Sequence, residues 1–145
     1  MASEAADEPG EQAVRLARAA AGLEGAVEGR VFRVRRLDRP GTVYHLVLLG
    51  TEAEPVAIAA VDLERGETLT WAELRGGRHL RFDGEDAIRR AGLEPDAKAE
   101  LVWRSSAASR SPLYPLWEVR GDDRVVYVDH AGTVWDELTP GPRGG

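Results

Sequence analysis

An α+β fold of two tandem helix–β–β–β units, each a helix packed on an antiparallel sheet, is predicted by three observations on this sequence. Each half opens with a segment whose apolar residues recur at three- and four-residue spacing. Each helical segment is followed by runs that alternate in polarity, the signature of strands. A corner of one kind then recurs, as Val61-Asp62-Leu63-Glu64-Arg65-Gly66 and as Val128-Asp129-His130-Ala131-Gly132. The implied organisation is a disordered leader at 1–9, a first unit at 10–72, a second at 79–138 and a disordered tail at 139–145.

The leader is acidic and carries no basic residue, which reads as disordered. From Glu11, Ala13, Leu16, Ala17, Ala20 and Leu23 form one apolar helical face, which predicts a helix at about 10–21, with Gly22 and Gly25 as stop signals. Arg30–Leu37 alternates and reads as a strand, and Asp38-Arg39-Pro40-Gly41 is a turn. Thr42–Leu49, rich in β-branched and aromatic residues, is a second strand. A third opens at Pro55, reaches Asp62 and turns at Leu63-Glu64-Arg65-Gly66, a turn that splits it or extends it through Thr68–Trp71. Residues 73–79 are charged and glycine-rich, the joint between the units, and Leu80–Phe82 is a candidate short strand. Asp83 caps a short helix that Gly92 stops. Strands come next at about 97–104, 116–120 and 125–129, with Val134-Trp135 beyond the second corner. Ala20-Ala21-Gly22-Leu23 echoes Arg90-Ala91-Gly92-Leu93, a second sign of internal duplication.

With 145 residues, 43% hydrophobic and 30% charged, the chain can bury a real core. A net charge of −6 argues against general affinity for nucleic acid or anionic membrane, and no nucleic-acid or membrane partner is expected. No apolar run approaches the roughly 20 residues that span a bilayer. The chain has no cysteine, and its first residues lack the pattern of a secretory signal, so the expected location is the cytoplasm. No phosphate-cradling glycine loop, nucleophile elbow or metalloprotease motif is present. Neither catalytic residue, cofactor nor metal site is expected. His45, His79 and His130 are too far apart in sequence for a typical ligand set.

Asp62 and Asp129 could form a carboxylate pair, but an aspartate ending a strand before a glycine has a simpler task. Its oxygens accept backbone N–H groups and fix the turn, with Gly66 and Gly132 supplying its free backbone angles. Loss of either carboxylate should cost on the order of 1 kcal/mol. Arg33 and Arg35 fall on one face of their strand and could dock an acidic peptide or phosphate. Most aromatics of the second half belong in a core. The unrepeated Ser105–Trp117 stretch differs: a Ser/Ala/Arg loop with two prolines ending in Tyr114-Pro115-Leu116-Trp117. A rigid aromatic surface of this kind suits recognition, and Arg104, Arg110, Tyr114 and Trp117 are its candidate contacts.

The order of helix and strands, closed by Val-Asp-x-x-x-Gly-x-x-Leu at Val61, Asp62, Gly66 and Leu69, resembles the PepSY-type, cystatin-like domain. In the second half Val128, Asp129, Gly132, Val134 and Trp135 resemble it with a shorter turn. The resemblance implies two PepSY-like repeats and a non-catalytic role in binding a peptide or protein partner, such as a peptidase or processing enzyme. The alternative is a small-molecule-binding protein or small enzyme with a pocket between helix and sheet. A homodimer is compatible with either reading.

Overall fold

A computed structural model describes residues 2–23, 28–51, 54–74 and 83–139. The first helix, α1, spans Ala2–Ala21 and includes Pro9. It begins well before the expected residue 10 and takes in the acidic leader. Proline lacks an N–H and so removes one bond from the helical ladder, while the alanines and glutamates around it favour helix. Gly22 closes α1 at φ 70°, with Gly22 N–H bonded to Ala19 O and Leu23 N–H to Arg18 O. The second helix, α2 at Gly84–Ala91, ends in the same way at Gly92, through Ile88 and Arg89. The echo of Ala-Gly-Leu is therefore two copies of one helix terminus. At its other end Asp83 and Asp86 form a reciprocal capping box.

The described strands are β1 Gly29–Arg36, β2 Val43–Gly50, β3 Pro55–Asp62, β4 Glu67–Glu73, β5 Lys98–Trp103, β6 Leu116–Arg120, β7 Val125–Val128 and β8 Val134–Trp135. Their order in the sheet is β4-β3-β2-β1-β5-β6-β7-β8. This corrects the expectation of two helix–β–β–β units on separate antiparallel sheets. The described chain is mostly sheet, each helix is followed by four strands, and the sheet is a single mixed one. At the first corner the chain reverses instead of continuing its strand. Gly66 takes φ 64°, and β4 runs back antiparallel along β3, with Ala59 opposite Trp71 and Asp62 opposite Glu67. At the second corner β8 likewise returns along β7. β1 and β5 pair in parallel, Arg35 opposite Val102, which antiparallel repeats do not allow.

Two compact units divide the chain, Met1–Arg33 with Val43–Arg78 and Val34–Thr42 with His79–Gly145, so the division falls within β1. In the first, Ala13 and Ala17 of α1 pack on Val47, Leu49, Ala57, Ala59 and Val61. Small alanines on both sides bring the helix close to the sheet. Gly29 is part of that fit: a Cβ there would meet Val14 Cγ2 at 2.8 Å. In the second unit, Ala87 and Ala91 of α2 pack on Val119, Val126 and Val128, while Val102, Ala108 and Leu116 form a cluster on the other face of that sheet. The expected short strand at Leu80–Phe82 and the tail from Pro140 lie outside the described residues.

Candidate functional site

The candidate recognition loop is folded inward at its centre. Ser106 and Ser109 are buried. Ser109 Oγ lies 2.6 Å from Tyr114 O, to which it donates, and accepts from Trp103 Nε1 at 3.3 Å. Ser109 N–H reaches Ser106 Oγ at 3.3 Å. These serines satisfy buried polar atoms and so hold the loop's shape. Trp117 joins the cluster of Ala87, Val119 and Val126 beneath α2. Arg104 lies with Leu37 and Tyr127 in a shallow cavity of about 340 Å³, bounded also by Asp136. Tyr127 belongs to the cluster on the sheet face opposite α2, so the sheet separates Arg104 from Trp117. Arg110 is exposed. Tyr114 is exposed as well, and its ring lies 4.7 Å from that of His130. The four candidate contacts do not converge on one place.

Arg33 and Arg35 differ in the same way. Arg33 is exposed. Arg35 is held inside its unit, with Nε 3.1 Å from Glu100 Oε1 and Nη2 2.9 Å from Glu118 Oε1. Arg120 Nε reaches the same Glu118 oxygen at 2.6 Å. Glu118 is 2% exposed, so these guanidiniums serve a buried carboxylate that would be costly left alone. The hydrogen bond to Glu100, then the charge of Glu118, raise the Arg35 pKa above its ordinary value. Its charge is paired with these two carboxylates, although a third of the side chain remains exposed.

The two corner aspartates act on their turns. Asp129 is 7% exposed and Oδ1 accepts from Ala131 N–H and Thr133 N–H, both at 2.9 Å. Oδ2 accepts from Trp135 Nε1 at 2.9 Å, so one carboxylate ties the corner to the strand beyond it. Gly132 sits in this turn at φ 89°, a conformation that glycine takes without strain. Asp62 Oδ1 accepts from Arg65 N–H at 3.2 Å, and its other oxygen has a looser ion pair with Arg65 at 3.9 Å. Of the histidines, His45 lies in β2 with Nδ1 buried and unpartnered, and its pKa is lowered first by burial and then by Arg33. His79 lies outside the described residues. Among the described residues no three His, Asp or Glu side chains gather as a metal site. No described helix is long and apolar enough to cross a membrane.

Sequence reasoning does not single out β4. Among the described strands it ends the sheet and pairs with β3 alone. A strand so placed turns alternate backbone N–H and C=O groups toward solvent, available to another chain. Leu69 and Trp71 are 39% and 40% exposed, between the exposed carboxylates of Glu67 and Glu73. The register shifts here, with Thr70 opposite Ala60 and Thr68 opposite Val61, which leaves Leu69 as an extra residue in the ladder. Thr68 Oγ1 bonds Leu16 O at 3.3 Å and anchors the strand to α1. Beside Trp71 lies a shallow apolar cleft of about 130 Å³, lined by Ala21, Leu23 and Val56 among others. No protein-family model matches this chain, and no curated protein or solved structure does either. The apolar pair Leu69 and Trp71 within a Glu-flanked strand is the available sequence signal, but only topology reveals that the strand is an edge.

Proposed function

We propose that this protein is a non-catalytic binding module that takes an extended segment of a partner protein along β4. The observation that carries the reading is the seven-residue edge strand with Leu69 and Trp71 exposed between Glu67 and Glu73. Strand addition draws affinity from backbone hydrogen bonds and specificity from alternate side chains. The partner segment has an apolar centre, to cover Trp71 and the cleft beside it, and Lys or Arg at its flanks, to meet Glu67 and Glu73. Each cross-strand pair contributes roughly 0.2–1 kcal/mol. A second copy of this strand fits less well. A second copy would bring its own Glu67 and Glu73 to an edge that already carries these two acids, and like charges repel. The resemblance to PepSY domains makes a peptidase or processing enzyme the first partner to try.

The test is selection of peptides from a random display library on the intact protein. Basic–apolar–basic sequences should emerge. Their binding should weaken at least about tenfold in Trp71→Lys, roughly 1.4 kcal/mol, and persist in Tyr114→Ala. Peptides that bind Trp71→Lys as well as the parent would overturn the reading.

A further inference from the structure

We infer that the first unit carries a separate site for a small molecule with an oxyanion head, carboxylate or phosphate, in the groove between α1 and the start of β1. The groove has a volume of about 880 Å³, in the range of small-molecule sites. Three arginines line it: Arg15 and Arg18 from α1 and Arg30 from β1. Glu11 and Glu28 line it as well, so arginines outnumber acids three to two among its residues.

Several described arginines are paired with acids, as Arg35 is with Glu118, Arg36 with Asp38 and Arg124 with Asp136. Arg30 is different. Its Nε is buried and has no hydrogen-bond partner. Its guanidinium carbon sits 5.8 Å from the centre of the Phe32 ring, a cation–π contact that leaves the donors of the fork available. A buried donor without an acceptor is costly, and a planar fork matches the two oxygens of a carboxylate or phosphate. Arg15, one helical turn before Arg18, lines the same space.

The frame around Arg30 is firm. Gly50 N–H bonds Glu28 O at 2.8 Å, fixing the entry to β1 against the end of β2. Gly29 is in close contact with Val14. Val14 and Val31 also line the groove and offer an apolar wall beside the charges. A ligand with an oxyanion at one end and a short apolar body at the other fits this arrangement.

The test tracks the Arg Nε–Hε resonances of the intact protein by NMR during titration with inorganic phosphate and, separately, with butyrate, at constant ionic strength. The Arg30 signal should shift and saturate with at least one probe. The tighter probe identifies the head group. Affinity should fall at least about tenfold in Arg30→Gln and in Arg15→Gln, and stay unchanged in Arg110→Gln. A shift that grows linearly without saturating for both probes would overturn the site, as would equal saturation in Arg30→Gln. Neither arginine belongs to β4, so loss of this site leaves the strand-addition reading to stand or fall by its own experiment.

Discussion

The two corners of the molecule use the same two residues and reach different results. At the second, Asp129 is buried and bonds two turn amides and the indole of Trp135. At the first, Asp62 receives one amide at 3.2 Å and a loose contact from Arg65. The strands beyond the corners differ as well. The tight corner leads into β8, an edge strand of two residues, and the loose one into β4, an edge strand of seven. A very short edge gives an incoming strand little to pair with, whereas a long one invites it. The corner residues therefore tell how a strand is turned, and the strand beyond tells whether its edge is closed or offered.

The largest effect expected from breaking this contrast is at Asp129. Asp129→Ala removes three hydrogen bonds at a buried carboxylate and should cost about 2–3 kcal/mol, whereas Asp62→Ala should cost about 1 kcal/mol or less. Urea denaturation of both variants measures the difference. Equal losses would mean that the two corners do the same structural work. Sequence alone places both aspartates in turns but gives them equal value, because burial and the reach to Trp135 depend on how β8 folds back.

Other parts of the fold are readable for similar reasons. Alternation locates β1, β2 and β3 to within a residue, because a strand buried on at least one face must alternate or run apolar. By the same pattern β4 reads either as an extension of β3 or as a strand split from it, since Leu63-Glu64-Arg65-Gly66 looks alike in a bent strand and in a reversal until Gly66's positive φ is known. The parallel pairing of β1 with β5 joins residues far apart in sequence, which no local pattern records. Ser105–Trp117 has the composition of a recognition surface. Its serines point inward because the Trp103 indole and the Tyr114 carbonyl need partners, and Trp117 is needed beneath α2. The candidate site on β4 depends on which strand lies last in the sheet, and that is a property of the whole chain.

A smaller effect separates the units by pH. Burial, then Arg33, lowers the His45 pKa in the folded first unit. The unfolded chain takes up a proton on that imidazole as the pH falls through about 6.5, while the folded chain resists. The unfolded state then binds more protons, so stability is full above the unfolded pKa and declines on acidification below it. His45→Gln should flatten the melting-temperature profile between about pH 7 and pH 5. An unchanged slope would remove His45 as the cause.

The smallest effect on stability is expected at β4. Trp71→Lys replaces a partly exposed side chain and should alter stability by no more than about 0.5 kcal/mol by urea denaturation, although the same change should weaken peptide binding at least about tenfold. A large loss would instead place Trp71 among the residues that hold the first unit together.

Amide hydrogen exchange, with and without a selected basic–apolar–basic peptide, tests the central claim most directly. Alternate amides of Glu67–Glu73, exposed to solvent on the outer edge of β4, should slow at least about tenfold when the peptide binds. Those around Arg110–Tyr114 and on β8 should be unchanged. Protection at Arg110–Tyr114 with β4 unaffected would contradict strand addition and return recognition to the aromatic loop.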